Sequence, residues 1–208
     1  MDGYCESPDL PALIALLAEN DRALGQVSHT NFLHNMALKV LHRLRDNSRA
    51  GSKRNIHAHY DLGNDFYRLW LDPSMNYSSA WFQGDTQQPL QQAQQAKMVR
   101  ALEQAGVRAG KGQRVLEIGC GWGAIAEMGA GVFGARMTGV TLSHEQLAWA
   151  QQRLQNAGMQ ADLRLQDYRD IRDEPFDAIV SIEMLEAVGQ AYWPTYFKTV
   201  HHLLKPGA

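Results

Sequence analysis

The sequence predicts an α/β fold built on a parallel sheet. Three observations carry that prediction. From about residue 90 onward, short apolar runs alternate with amphipathic helical stretches. One run, Val115-Leu-Glu-Ile118, leads directly into the glycine-rich turn Gly119-Cys-Gly-Trp-Gly123, and a helical pattern follows from Ala124. Another, Phe176 to Ile182, is apolar almost throughout, as strands covered on both faces are.

The 208 residues suffice for one large domain or a domain with an appendage. A formal net charge of −2 gives no argument for nucleic acid as a partner. Cys5 and Cys120 lie far apart and form neither a disulfide framework nor a metal-ligand spacing, so a reducing cytoplasm is expected and no metal. The first residues include acids and lack the basic start and apolar core of a secretory signal. No apolar run is long enough to span a bilayer, so any membrane contact is expected to be peripheral, at the inner membrane.

Taken in order, Asp9 to Asn20 predicts a helix with Pro11 early in it and Leu13, Ile14, Leu16 and Leu17 as its apolar residues. A second helix is predicted from Thr30 to about Asp46. Lys39, Arg43, Arg45, Arg49, Lys53 and Arg54 against Asp46 give a local balance of +5. That balance suits an anionic membrane surface, and equally an amphipathic helix docked on the domain with a solvated basic rim. Residues 55–82 are dense in aromatic and polar side chains without clean periodicity. His57 and His59 lack a third ligand at a matching spacing and read as structural histidines. Asp72-Pro-Ser-Met75 is turn chemistry, and Asp85 to Pro89 a polar loop. A helix follows over about Leu90 to Ala105, ended by Gly106.

The βαβ pattern then begins. Strands are predicted over about 114–119, 135–142, 162–166 and 176–182, with helices over about 123–132, 143–157 and 192–204. Ser143-His-Glu-Gln146 forms a capping box, and Gly158 stops its helix. The crossovers should be right-handed. A fourth strand so apolar would be an exposed edge, an aggregation hazard. The closing Lys205-Pro-Gly-Ala208 is a turn that ordinarily leads into another strand. The chain is therefore expected to be part of a longer polypeptide, or to have that edge covered by another chain, as in a homo-oligomer.

The glycines let the backbone bend sharply and approach a ligand, and the helix start behind them would face an anionic group such as a carboxylate. A dinucleotide-binding turn, or a tight turn with no ligand, would share this pattern. A dinucleotide fold places an acid at the tip of its second strand. Here that tip is Gly139-Val-Thr-Leu-Ser143, with no acid. Asp167 and Tyr168, after the third strand, suit an adenine, the carboxylate accepting from its exocyclic amine and the ring lining its face. This set looks more like a site for S-adenosylmethionine (SAM) than for a nicotinamide.

Six segments, in order over about residues 53 to 208, carry a family resemblance: Tyr60 to Phe66, Leu71 to Ser79, Val115 to Gly123, Gly139 to Ser143 with Gln146, Gln166 to Asp170, and Ser181 to Gly189. On them the chain resembles the cyclopropane-fatty-acyl-phospholipid synthase family, with its mycolic-acid cyclopropane synthase and fatty-acid C-methyltransferase relatives. The resemblance implies a Rossmann-like class I methyltransferase sheet, cut after its fourth strand. Residues 1–52 would be the helical end of an N-terminal lipid-side region, and residues 53–208 a SAM-binding domain lacking its C-terminal part. It implies SAM as cofactor, with a bicarbonate ion beside the reacting carbon, and an unsaturated phospholipid or acyl chain as substrate. Tyr77 and Ser78 match contacts to the methionine part, and Gly119, Gly121 and Gly123, with Glu117 before them, match the turn beneath it. Thr141, Leu142 and Gln146 match ribose contacts, Gln146 in place of the usual acid, and Asp167 and Tyr168 match the adenine loop. Glu186 and Ser79 match the bicarbonate site, where many members have a cysteine at the latter position. Ala187 departs from the family's usual histidine, which loosens the tie to ring formation.

The chemistry implied is attack of a cis double bond on an electrophilic methyl. Loss of a proton from the new methyl closes a ring; loss elsewhere, followed by reduction, leaves a methyl branch. Tyr60, Phe66, Tyr77 and Trp81 could shelter the positive charge through their faces, or simply be core. Glu183 lies closer to the strand end than Glu186 and is an alternative carboxylate, facing the SAM amine or a helix dipole. A third reading is a SAM- or lipid-binding module without turnover.

Overall fold

The computed structural model describes residues 8–20 and 63–208. The helix expected over 30–46, the basic run over 39–54, His57, His59 and Tyr60 lie outside the described residues. The chain divides into two compact units, residues 1–46 and 47–208. The first contains α1 (Leu10–Glu19). Asp9 caps it, its carboxylate accepting from the Ala12 amide at 3.0 Å, and Pro11 sits in the first turn as expected.

The second unit contains α2 (Gly63–Arg68), α3 (Leu90–Gln104), β1 (Arg114–Ile118), α4 (Ala124–Gly131), β2 (Arg136–Thr141), α5 (His144–Asn156), β3 (Asp162–Leu165), β4 (Ala178–Val180), α6 (Leu185–Val188) and α7 (Trp193–Leu203). All four strands are parallel, in the order β3-β2-β1-β4. The chain steps outward from β1 to β3, then returns across β1 to lay down β4. That reversal opens a crevice at the carboxyl ends of β1 and β4, where ligands of such sheets bind.

β1 shows why the sheet is a middle layer. Val115 packs with Met98, Leu102, Ile125, Ala150 and Leu154 from α3, α4 and α5. Its neighbours Leu116 and Ile118 point the other way, with Phe176, Val188, Tyr196 and Leu203. Apolar on both faces, β1 is buried by helices on both sides. Only half of the expected capping box forms at α5: Ser143 Oγ accepts from the Gln146 amide at 3.2 Å, but the Ser143 amide donates to Thr141 Oγ1, which in turn takes up the Gln146 side chain. Gly106 and Gly158, both at positive φ, follow the ends of α3 and α5.

The last strand is shorter than expected. Its ladder covers only Ala178–Val180. Phe176 instead bridges to Leu204, its amide donating to Leu203 O at 2.7 Å while its carbonyl accepts from the Lys205 amide at 3.0 Å. β4 is an edge strand, and Ile179 is only partly buried, so full burial on both faces does not hold there. Two short helices, α2 and α6, occupy stretches with too few residues to show a period.

Candidate functional site

A cavity of about 490 Å³ lies at the carboxyl end of the sheet. Its floor is the turn after β1. Gly119, Gly121 and Gly123 all take positive φ, at 83°, 50° and 83°. Only two of them are crowded. A Cβ on Gly123 would stand 2.7 Å from the Ala150 Cβ, so α4 and α5 approach through that glycine. A Cβ on Gly119 would meet the Met184 sulfur at 3.2 Å. Nothing lies within 4 Å of the place a Cβ would take on Gly121, which lines the cavity and leaves its backbone bare.

Glu117, one residue before the end of β1, lines the same cavity at 4% exposure. Burial pushes its carboxyl well up, opposed in part by a backbone hydrogen bond at Ala126. Its Oε2 has no hydrogen-bond partner. A buried acid with one unpartnered oxygen on a cavity wall has the chemistry to meet a ligand's polar atom.

The far wall comes from β2 and β3. Thr141 Oγ1 donates to Gln146 Oε1 at 3.0 Å and accepts from the Ser143 amide at 3.2 Å, so the loop after β2 is fixed before any ligand arrives. Leu142 lies between them on the lining. Asp167 and Tyr168 also line the cavity, with one difference from expectation. The Asp167 carboxylate is already held by Arg169, whose Nε and Nη2 donate to it at 2.8 and 2.6 Å. Tyr168 stacks edge-on against Tyr196 at 5.4 Å, and burial raises its phenol.

The near wall is the segment after α2. Asp72 accepts from the Ser74 amide and hydroxyl at 3.0 and 2.8 Å, and Met75 is buried at φ 57°. Arg153 of α5 holds this turn, donating to Pro73 O at 2.9 Å while pairing with Glu127 at 3.1 Å. Tyr67 lies 5.1 Å from Trp122 and 5.8 Å from Tyr77, which stands half-exposed at the mouth. One face of α3 grips the next residues. Gln94 Nε2 donates to Ser78 O at 2.9 Å, Lys97 Nζ donates to Ser78 Oγ at 2.6 Å, and the Trp81 amide donates to Ala93 O at 3.2 Å.

Opposite Ser78 stands Glu183, at φ 47°, a left-handed conformation that costs a residue with a side chain. Its Oε1 accepts from the Ser79 amide at 2.9 Å and the Ser79 hydroxyl at 2.6 Å. The hydroxyl bond, then the amide bond and the nearby Lys97, hold its carboxyl below the ordinary range against partial burial.

Of the residues singled out in the sequence, Tyr77, Ser78, Glu117, Gly119 and Gly121 meet Thr141, Leu142, Gln146, Asp167 and Tyr168 around one cavity. Gly123 sits behind the turn, as a packing glycine. Ser79 reaches the cavity through Glu183. Glu186, in the first turn of α6, is exposed and outside the lining, whereas Glu183 and Ala187 are on it. Phe66 and Trp81 are also off the lining; Trp81 lies under Arg100, 4.1 Å from its ring centre. Trp122 and Tyr192 take the aromatic places instead. Trp122 was legible within the glycine turn. Lys97 was legible as a basic residue on the Ala93–Gln94–Met98 face of its helix.

A parallel sheet with a glycine-turned crevice and a buried acid at the end of its first strand defines the class I methyltransferase type of fold. Solved structures agree. A mycolic acid cyclopropane synthase complexed with SAH and CTAB is 37% identical, with a TM-score of 0.68, over 74% of this chain and 53% of that one. A cyclopropane synthase from Mycobacterium tuberculosis is 35% identical at the same TM-score, 0.68. The family model for mycolic acid cyclopropane synthetase matches residues 47–208, and the chain belongs to that family. A tuberculostearic acid methyltransferase of M. tuberculosis is 44% identical over 78% of this chain. A cyclopropane-fatty-acyl-phospholipid synthase of Escherichia coli is 46% identical over 71% of it. The chain spans 39% and 37% of the lengths of these two relatives.

The residues present fit a nucleoside joined to an amino acid. Glu117 offers an unpartnered polar atom, Gly121 an open backbone, and Thr141, Gln146 and Tyr168 a fixed polar and aromatic end. The lining is mainly apolar, and no group of three or more metal-binding side chains occurs among the described residues.

Proposed function

We propose that this chain carries the cofactor half of a SAM-dependent enzyme that adds one carbon to the cis double bond of unsaturated phospholipid acyl chains, forming a cyclopropane ring. The observation that carries the reading is the cavity at the switch point, where the glycine turn, the unpartnered Oε2 of Glu117 and the Ser78–Ser79 wall converge. It is supported by the family and by the SAH named for a structural relative.

SAM, when bound, supplies an electrophilic methyl group. This chain's residues do the rest. The turn and Gly121 let the ligand lie on bare backbone. Glu117, its carboxyl pushed well up by burial, pairs with a polar atom of the ligand through its free Oε2. Thr141 and Gln146 take the ribose, and Tyr168, with the Asp167–Arg169 pair, borders the base. Tyr77 at the mouth shelters the acyl chain from water. Glu183 is an ionised carboxylate on the wall, suited to accept a proton after the carbon is transferred.

A specific observation favours a second outcome on the same site, a methyl-branched product. Ser79, expected to help hold a bicarbonate ion with Glu186, is already engaged by the chain's own Glu183 carboxylate, and Ala187 stands on the lining without a titratable group. The relative named a tuberculostearic acid methyltransferase shares this reading's chemistry by name. Membrane contact belongs to the proposal too. Among the described residues no helix is long and apolar enough to cross a membrane, so lipid would be met at its surface. Reversing the charges of Arg43, Arg45 and Arg49 should weaken binding to anionic vesicles, and unchanged binding would remove that surface.

The test is incubation with methyl-labelled SAM and vesicles of cis-monounsaturated phospholipid, followed by NMR of the acyl chains. Label in a ring supports the first outcome, and label in a branch the second. Failure to bind SAH in calorimetry refutes both.

A further inference from the structure

Lys97 is the charged side chain of α3 that bonds Ser78 in the near wall. Its ammonium donates to Ser78 Oγ at 2.6 Å and approaches Ser78 O at 3.4 Å and Asn76 Oδ1 at 3.5 Å. The neighbouring side chains of the same face hold the same segment: Gln94 bonds Ser78 O, and the Met98 sulfur accepts from Asn76 Nδ2 at 3.4 Å. Gln94 and Met98 thus hold the same segment with uncharged groups, and Lys97 adds a charge to it. The charged groups facing it are Glu183, across the segment, and Asp72, in the turn before it.

An ammonium has three donors and no acceptor. Bonded to it, Ser78 Oγ must act as acceptor, and the serine's own hydrogen is then directed elsewhere. Ser78 lines the cavity, so that hydrogen and the half-buried positive charge behind it offer a donor to an anion there. The groups around this point divide by charge: Glu183 is bound by Ser79, leaving Ser78 as the cationic side of the pair. We propose that Lys97 is a positioning residue that orients and polarises the Ser78 hydroxyl to receive the carboxylate of the cofactor's amino-acid part. The idea rests on the proposed SAM site, but its test separates the two.

Burial lowers the Lys97 ammonium to about 8, against the opposing pull of Glu183 and Asp72. The donor is therefore complete below pH 8 and lost as pH rises through it. Glu183, held below the ordinary range, stays ionised throughout that window.

The experiment compares two ligands by calorimetry on the whole chain. SAH carries the carboxylate; 5′-methylthioadenosine has the nucleoside and lacks the amino acid. Lys97→Met should weaken SAH by about tenfold or more, the worth of a hydrogen bond to a charged group, and leave methylthioadenosine unchanged. Wild-type affinity for SAH should fall between pH 7 and 9. Lys97→Arg should keep most of the affinity and flatten that fall, since a guanidinium does not titrate there. Any slope left in the arginine variant belongs to the ligand's own amine. Equal weakening of both ligands in Lys97→Met, or of neither, overturns the proposal, as does a pH slope identical in wild type and Lys97→Arg. Binding of neither ligand by the wild type refutes the site itself.

Discussion

Replacing Gly123 with alanine tests whether the glycine turn is a packing device as well as a bend. The backbone there is left-handed, φ 83°, which costs a residue with a Cβ about 1–2 kcal/mol. The new methyl would also stand 2.7 Å from the Ala150 Cβ and 3.1 Å from its Cα, a clash between two helix backbones that no rotamer relieves. Overpacking of this kind costs about 1–3 kcal/mol more. Gly123→Ala should therefore lose about 2–5 kcal/mol, a large share of the ~5–15 kcal/mol that holds a domain together. Gly121→Ala is the matched control: φ is 50°, but nothing lies within 4 Å of the new methyl, so only the backbone part applies. Urea unfolding followed by tryptophan fluorescence and circular dichroism measures both. Ligand affinity should rank the other way, because Gly121 lines the cavity and Gly123 does not. If Gly123→Ala is no less stable than Gly121→Ala, the close approach of α4 and α5 is not what that glycine is for.

Three further tests follow from the walls of the site. Glu183→Gln should lower methyl transfer by about a hundredfold or more while Glu186→Gln changes it little, because only Glu183 lines the cavity; the reverse order in a labelled-SAM assay refutes this assignment. Ser79→Ala should raise the Glu183 pKa, read by carbon NMR of the carboxylate. Since Ser79 holds that pKa low, its contribution to stability is present above the ordinary carboxylate value and lost as pH falls through the folded one, and the variant should lose this acid-side slope. Arg153→Met should cost about 1–3 kcal/mol in urea unfolding, since it frees the Pro73 carbonyl and Glu127 together; a loss under 0.5 kcal/mol would show that α5 does not hold the turn.

What could be read in advance followed from local rules. β1 and the helices around it show their periods plainly, Asp9 and Ser143 are capping residues, and the glycine spacing dictates a turn. The missed features depend on distant contacts or on single dihedrals. Glu183 and Glu186 are both plausible carboxylates in a line of text; the left-handed bend at Glu183 turns it to Ser79, 104 residues earlier. Asp167 looked like an open acceptor, but Arg169 folds back over it within one 3₁₀ turn. Apolarity alone extends the last strand back to Phe176, which pairs with the segment after α7 rather than with β1. Trp81 belonged by composition to the aromatic wall, yet its amide is tied to Ala93, which turns it to the other side of α3.

The cavity wall is drawn from five stretches of chain, around residues 75–78, 117–125, 140–146, 166–169 and 182–192. None of them can form the site alone, and the parallel sheet that brings them together depends on contacts between distant segments, which form late and slowly. Occupancy of the cavity is therefore a report on the whole domain. A ligand at a hundred times its Kd adds about 2.7 kcal/mol to folding stability, so a substitution far from the crevice that loosens the sheet will present itself as a weakened cofactor affinity. Refolding in the presence of SAH would recover more of the chain than refolding without it, and the cofactor would act as a selector of correctly assembled molecules before it takes part in any reaction.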